Sequence, residues 1–240
     1  MFLYHFYLLF ALYNNSLPSI LWDNHHFLFG GINICVITTW IGTLKKTREV
    51  ETSLVKPDAT DPASVSSSVK EVEKHLKGQR LDLLINNAGV LTRNTLGTQT
   101  PEDMMQVYNV NVVGPLLVTQ AFHPLLKREA GTGRSAIVHI SARLGSLHDL
   151  PIMYAAFPAI SYRCSKAALN MLSRCHSEEY KQDGIISIAI HPGSVKTDMG
   201  TDEAPLTKSD SVGAMMKIIS SLGEEHSGTF VDWQGNTIPW

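Results

Sequence analysis

The sequence predicts one α/β domain in which a parallel β-sheet is covered by helices on both faces. Short apolar stretches rich in branched side chains alternate with amphipathic stretches of ten or more residues. That alternation is typical of βαβ units, whose strands lie parallel. The chain has 240 residues and is 44% hydrophobic, which suffices for the core of a single doubly wound domain.

The composition excludes several classes of partner. The formal net charge of −2 and the pI of 6.5 indicate neither nucleic acid nor an anionic membrane surface. The cysteines Cys35, Cys164 and Cys175 follow no disulfide pattern and no metal-ligand spacing, which favours a reducing, cytoplasmic location and no bound metal. The apolar start, 1–13, is too short to span a bilayer and has no basic n-region. A poorly formed signal peptide is the alternative.

The character of the chain changes near residue 54. We therefore predict an atypical N-terminal segment at 1–53 and one domain at 54–240. Within the first part, 34–39 is rich in β-branched residues and predicts a strand, whereas 45–51 is polar and fits a helix or a loop. The stretch 25–29 has neither a helical nor an alternating period.

The second part has clear helix and strand signals. Asp61 predicts the N-cap of a helix that begins at Pro62 and ends at Gly78. Further strands are predicted at 81–85, 136–140, 185–190 and 228–232, and further helices at 101–123, 162–182 and 209–222.

Polar clusters follow three of the predicted strands, at 86–89, at Ser141 and at 192–197. The carboxyl ends of parallel strands form the edge at which ligands bind in such sheets. Tyr162 and Lys166 begin a helix on the same side, and their spacing of four places them on one helix face. An ammonium near a phenol lowers the pKa of the phenol. Tyr162 is therefore a candidate general acid, and Lys166 is the residue that would lower its pKa. Alone, this pentapeptide more often holds a half-buried Tyr and a solvated Lys.

Taken together, these motifs resemble the short-chain dehydrogenase/reductase family, and within it the sniffer-type carbonyl reductases and the C-factor-like proteins. The resemblance covers 54–240 and implies a Rossmann-like fold. It also implies an NAD(P)-dependent oxidoreductase that transfers hydride from a nicotinamide to a small-molecule carbonyl substrate, with NADP expected and NAD not excluded. The matching residues are Asp58, Asn86-Asn87-Ala88-Gly89, Asn111-Val112-Val113-Gly114, Tyr162-x-x-x-Lys166 and Pro192-Gly193-x-Val195-x-Thr197.

The resemblance implies a role for each residue. Tyr162 would be the proton donor, Lys166 would lower its pKa and bind the nicotinamide ribose, and Asn111 would hold a water of a proton relay. Simple turn or cap roles are the alternative for the other motif residues. The cofactor contacts implied are Asp58 to adenine, Asn86, Ala88 and Gly89 to the adenosine ribose, and Pro192, Gly193, Val195 and Thr197 to the nicotinamide end.

The glycine-rich nucleotide loop of the family, Thr-Gly-x-x-x-Gly-x-Gly, has no counterpart in the chain. The glycines before residue 54 are Gly30, Gly31 and Gly42, and their spacing does not match. We expect 34–39 to stand for the family's second strand, with the first strand and first helix atypical or missing. Such a start indicates unrelated sequence joined to a family domain, as in a splice or gene-model variant.

The catalytic serine of the family also lacks a direct match. Counting back from Gly145 places Ala142 at that position, and an alanine cannot donate a hydrogen bond to a substrate oxygen. Ser141 is the remaining candidate, although adjacent side chains after a strand point to opposite sides. The apolar loop from Ala142 to Tyr162 fits either a substrate wall or plain surface packing.

Two functions remain open on this reading. One is a carbonyl reductase, and the family resemblance implies for either function that the chain can pair as a homodimer through its long helices. The other is a catalytically impaired family member that acts through protein contacts. The intact Tyr162, Lys166 and Asn111 favour the first, whereas the missing glycine-rich loop and Ala142 favour the second.

Overall fold

The structure is a computed structural model, and it describes residues 2–3, 21–23, 26–29, 32–37, 58–128, 133–197, 199–200 and 203–240. The predicted helix or loop at 45–51 lies outside these residues. Within them, no helix is both long and apolar enough to cross a membrane.

A seven-stranded sheet forms the centre of the described fold, in the order β2-β3-β4-β5-β7-β8-β9. The five strands from β4 to β9 in this order lie parallel, which confirms the predicted parallel sheet. The strands are β1 (Phe2–Leu3), β2 (Leu21–Asp23), β3 (His26–Phe29), β4 (Ile32–Ile37), β5 (Leu83–Asn86), β6 (Val90–Leu91), β7 (Ser135–Ile140), β8 (Ile185–His191) and β9 (Phe230–Asp232).

Helices cover both faces of this sheet, as the doubly wound fold requires. The helix α6 packs on the face that carries the apolar side chains of Ile140 and Ile190, whereas α1 and α3 pack on the face of Leu84 and Ile137. The helices are α1 (Pro62–Leu76), α2 (Pro101–Tyr108), α3 (Gly114–Leu126), α4 (Leu150–Met153), α5 (Ile160–Glu179) and α6 (Lys208–Ser220).

The helix α1 has the ends that its sequence predicts. The carboxylate of Asp61 accepts hydrogen bonds from the backbone N–H groups of Ala63 and Ser64, at 3.2 and 3.0 Å, which satisfies two donors that a helix start leaves unpaired. At the other end, Lys77 and Gly78 have positive φ angles of 50° and 85°. This left-handed turn ends the helix.

The single helix predicted at 101–123 is two helices joined by a π-helical turn, Asn109–Val113. The backbone N–H of Gly114 donates to the carbonyl of Asn109, five residues back. The next residue, Pro115, has no N–H and cannot donate to the carbonyl of Asn111 four residues earlier. The π turn lies directly before this proline, and it carries Asn111.

The strand predicted at 34–39 forms as β4, but its predicted correspondence to the family's second strand is wrong. It pairs in parallel with β5. In the usual doubly wound order, the strand at this place in the sheet is strand 1 and not strand 2. Its other neighbour, β3, is antiparallel and pairs Phe29 with Ile32. Two residues cannot make the long crossover that a parallel partner needs, so β3 and β4 form a hairpin. The pair Gly30-Gly31 is a hairpin signal that our reading of 25–29 missed.

Candidate active site

Three polar segments meet at one edge of the sheet. The segment 86–89 begins at the last residue of β5, Ser141 follows β7, and 192–197 follows β8. These three strands are consecutive and parallel, so their carboxyl ends lie side by side. The helix α5 begins at Ile160 on the same side and brings Tyr162 there in its first turn. The structure therefore brings the predicted segments together.

Tyr162 and Lys166 lie against each other inside the protein. Their exposed fractions are 6% and 3%, and the Nζ of Lys166 lies 5.5 Å from the centroid of the Tyr162 ring. The same Nζ donates a hydrogen bond to the backbone carbonyl of Ile140, at 2.7 Å. Burial lowers the pKa of Lys166 to about 7. A group of this pKa can hold or release a proton at neutral pH.

Asn111 ties the π turn to the strand that follows the first polar segment. Its Oδ1 accepts from the backbone N–H of Val90 at 2.8 Å, and its Nδ2 donates to the carbonyl of Val90 at 2.9 Å. The Nδ2 also donates to the hydroxyl of Ser165, which in turn donates to the carbonyl of Tyr162. The side chain is fully buried. It therefore fixes β6 relative to the first turn of α5.

Ser141 and Ala142 point in different directions at the end of β7. The hydroxyl of Ser141 donates to Oδ1 of Asn170 on α5, at 2.6 Å. Ala142 packs in one buried cluster with Tyr162 and Leu91. The side chain next to the candidate general acid is therefore a methyl group, and the nearby serine hydroxyl is used in packing α5 against the sheet.

The residues implied to bind adenosine are placed differently from one another. Asn86 is buried, and its Nδ2 donates to the hydroxyl of Thr119 and to Nδ1 of His139, at 3.2 and 3.4 Å. Asp58 is exposed, and its carboxylate accepts from the backbone N–H and the hydroxyl of Thr60. Asn86 thus supports the sheet edge, whereas Asp58 lies at the surface.

The segment 192–197 makes a tight turn after β8. Gly193 has a φ of 85°, and a Cβ there would come within 2.4 Å of the Leu206 side chain, so only glycine fits. Val195 pairs with Leu206 as an isolated β-bridge. The Oγ1 of Thr197 accepts a hydrogen bond from the backbone N–H of Gly200, at 2.9 Å. These contacts hold the turn above the carboxyl end of β8.

An apolar wall surrounds the Tyr162 ring. Part of the loop 142–162 belongs to it, because Leu144 and Phe157 pack against the buried cluster. Other parts do not, since the Ile152 side chain is 80% exposed. The loop therefore packs partly against the Tyr162 cluster and lies partly at the surface. The wall consists of Leu91, Ala142, Leu144, Phe157, Ala159 and Met199.

Arg163 is a site residue that sequence reasoning missed. The residue is 6% exposed, and its guanidinium donates to the backbone carbonyls of Leu144, Met153, Phe157 and Pro158, at 2.8 to 3.3 Å. It thereby folds the loop before α5 against the helix. Nothing in the local pattern marks it, because its acceptors are backbone groups that any sequence supplies.

The edge of the sheet suits the nicotinamide-ribose half of a dinucleotide. Gly89 lies beside Asn111 and Lys166, and a Cβ there would make ordinary contacts, 3.4 Å from Oδ1 of Asn111 and 3.7 Å from Nζ of Lys166. The Tyr162 phenol and the Lys166 ammonium are donors of the type that bind ribose hydroxyls. The chain after β4, where the pyrophosphate loop of such folds begins, lies outside the described residues.

Comparison with known proteins places the chain among oxidoreductases. The sequence pattern of the family described as short chain dehydrogenase matches residues 28–207. The C-signal protein of Myxococcus xanthus is 41% identical over 161 residues, which are 67% of this chain and 93% of that protein.

Two solved structures of carbonyl reductases are also similar to this chain. An NADPH-bound carbonyl reductase from chicken fatty liver is 46% identical, with a TM-score of 0.74, and the match covers 79% of this chain and 77% of that one. The carbonyl reductase Sniffer of D. melanogaster is 27% identical, with a TM-score of 0.76 and coverage of 97% and 93%.

Proposed function

The chain belongs to the short-chain dehydrogenase family, and from that premise we propose that it reduces a small-molecule carbonyl compound with NADPH. The observation that carries the proposal is the buried pair at the sheet edge, with Nζ of Lys166 5.5 Å from the ring of Tyr162. The similarity to an NADPH-bound carbonyl reductase supports both the cofactor and the reaction type.

In the proposed reaction, Tyr162 supplies the proton. Its hydroxyl donates to the carbonyl oxygen and leaves a phenolate, which the positive charge of Lys166 stabilises. The carbonyl of Ile140 holds the Lys166 ammonium in place. NADPH, when bound, supplies the hydride. We further propose that Asn111 acts in a proton relay behind Lys166.

The cofactor would be held along the three polar segments. We propose that Lys166 and Tyr162 also bind the nicotinamide ribose, and that Gly89 allows the cofactor to approach the backbone. The further cofactor contacts that we propose are Asp58, Asn86, Ala88, Pro192, Gly193, Val195 and Thr197. The described contacts of Gly193 and Thr197 with their neighbours support a fixed turn at the nicotinamide end.

The competing proposal is a catalytically impaired family member. Ala142 favours it, because no hydroxyl stands at this position beside Tyr162. We also propose that 1–53 is an atypical segment that replaces the usual glycine-rich start of the domain at 54–240, since no Thr-Gly-x-x-x-Gly-x-Gly occurs in it. Saturable NADPH binding by the full chain would exclude loss of the nucleotide site.

The variant Tyr162→Phe tests the proton donor. We expect kcat for carbonyl reduction to fall by about 10²-fold or more, the usual contribution of a general acid, while NADPH still binds. The matched control is Tyr154→Phe, which removes a phenol hydroxyl from the preceding loop. Equal activity of Tyr162→Phe and the wild type, or an equal loss in both variants, would contradict the assignment.

We also propose that the chain forms a homodimer through its long helices. Large apolar side chains are exposed on them, with Met105 and Met171 65% and 64% exposed and Tyr108 46% exposed. Sedimentation of the wild type should give a dimer, and Met105→Asp should shift it to a monomer. A monomeric wild type would overturn this part. The cytoplasmic location stays a prediction.

A further inference from the structure

We propose that Arg93 is a positioning residue that holds two sides of the apolar wall together around Tyr162. The inference rests on the proposed function, because the wall matters to catalysis only if Tyr162 is the proton donor. Arg93 belongs to none of the motifs that the sequence singles out, and it lies just after β6.

One guanidinium joins three distant parts of the chain. Nη2 of Arg93 donates to the backbone carbonyl of Met199 at 2.9 Å. The guanidinium carbon lies 4.8 Å from the centroid of the Phe157 ring. Phe157 precedes α5, and Met199 follows the turn at 192–197. Both pack with Tyr162 in the same apolar cluster.

The residues on both sides of Arg93 are hydrogen-bonded to the start of α5. The hydroxyls of Thr92 and Ser161 share a hydrogen bond of 2.6 Å. The carbonyl of Asn94 accepts from the backbone N–H of Ile160 at 3.2 Å. Arg93 is exposed, but the part of the chain from which its side chain extends is held beside the proton donor. This separates it from an ordinary solvated surface arginine.

The chemistry of the guanidinium suits this position. A planar guanidinium can stack on an aromatic ring and donate a hydrogen bond at its edge at the same time. A lysine ammonium offers the charge but not the plane. We therefore expect Arg93 to set the distance between Phe157 and Met199, and with it the width of the wall that faces a substrate.

The test compares Arg93→Ala and Arg93→Lys with the matched control Arg134→Ala. Arg134 is an exposed arginine that forms an ion pair with Glu224. It lies just before β7, at the end of that strand that is opposite to the site. The first readout is hydrogen exchange of the Gly200 amide, which directly follows Met199 in the chain and donates a hydrogen bond to Thr197. The second is kcat and KM with NADPH and a bulky aryl ketone.

We expect Arg93→Ala to speed hydrogen exchange at the Gly200 amide. It should also raise KM about tenfold, because one charge-assisted hydrogen bond is lost. We expect kcat to change less than about threefold. Arg93→Lys should fall between it and the wild type. Arg134→Ala should match the wild type in both readouts.

Two further results keep the inference separate from the proposed function. If the wild type reduces no carbonyl compound, the proposed function fails. Hydrogen exchange at the Gly200 amide then still tests whether Arg93 holds the Met199 segment in place. If Arg93→Ala does not fold, Phe157→Leu removes the ring alone and should still raise KM and speed exchange. Unchanged exchange and unchanged KM in the folded Arg93 variant would overturn the inference.

Discussion

Ala142 shows how one residue decides the chemistry of a sheet edge. Successive side chains after β7 alternate in direction, so Ser141 points to Asn170 on α5 while Ala142 packs with Tyr162. We therefore predict that Ser141, one position away, does not replace a hydroxyl at position 142. The expectation drawn from alternation agrees with the observed contacts.

The first prediction at this scale is a gain of activity. Ala142→Ser should raise kcat for carbonyl reduction at least about tenfold, because a well-placed oxyanion donor is worth about 10²–10³ in kcat. Steady-state rates with NADPH and saturating substrate measure the effect.

Ser141→Ala is the companion variant. It should lower the free energy of unfolding by about 1–3 kcal/mol, since Asn170 loses its buried partner, and leave kcat near that of the wild type. Loss of activity in Ser141→Ala, with no gain in Ala142→Ser, would show that Ser141 is the catalytic hydroxyl after all.

Single residues were predictable where the partner lies on the same element. Tyr162 and Lys166 are one helical turn apart, so their contact follows from spacing. Arg93, Arg163 and His139 were not predictable, because their partners come from other parts of the chain. Their positions depend on how the strands and loops assemble, which a local pattern does not encode.

At the scale of elements, α5 is joined to the sheet through polar side chains. The hydroxyls of Ser173 and Ser187 lie 3.2 Å apart, and Nε2 of His139 lies 3.2 Å from Nδ1 of His176. Nδ1 of His139 faces the amide Nδ2 of Asn86, a donor. His139 therefore carries its proton on Nε2 and donates it to His176, an assignment made from the hydrogen-bond network. Both imidazoles are neutral in this arrangement.

These histidines make stability depend on pH. Burial lowers the pKa of His176 to about 4, and burial together with His176 and Lys166 lowers that of His139 well below 6.5. The unfolded chain takes up protons near pH 6.5, whereas the folded chain does not. The stabilisation is thus complete above pH 6.5 and is lost as the pH falls towards 4.

Urea unfolding at a series of pH values measures this loss. His176 alone should account for about 2 kcal/mol between pH 6.5 and pH 5. His176→Gln should flatten the dependence. A wild type equally stable at both pH values would contradict the neutral pair.

The beginning of α5 depends on Arg163. Ala159 precedes the helix with a φ of 39°, a strained value for a residue with a Cβ, and four backbone carbonyls converge on the Arg163 guanidinium. Arg163→Met should lower the free energy of unfolding by about 2–4 kcal/mol, because buried carbonyls lose their donor. Urea denaturation checks this, with Arg134→Met as the control, and equal stability of the two variants would refute it.

Elements with a strong local signal were predictable. The cap at Asp61 and the buried strands follow from short-range pattern. The split of the helix at 101–123 lies directly before Pro115, a residue that interrupts regular helices and could have marked it. The hairpin of β3 and β4 went unrecognised because its residues show no alternation, although Gly30-Gly31 marks it.

For the whole molecule, the parallel sheet and the position of the site at its carboxyl edge followed from the sequence. The N-terminal strands did not, since β4 takes the place beside β5, β3 is antiparallel to β4, and β2 is antiparallel to β3. The identity of a strand depends on what precedes and follows it. Here the chain before β4 leaves room for a hairpin and not for a crossover.

The central claim is that this chain binds NADPH and uses it with Tyr162. Titration of the purified full chain with NADPH, followed by cofactor fluorescence, tests it most directly. We predict saturable binding in the micromolar range, about −8 kcal/mol. A chain that is folded by circular dichroism and yet binds no NADPH would contradict the claim, and would favour a family member that has lost its chemistry.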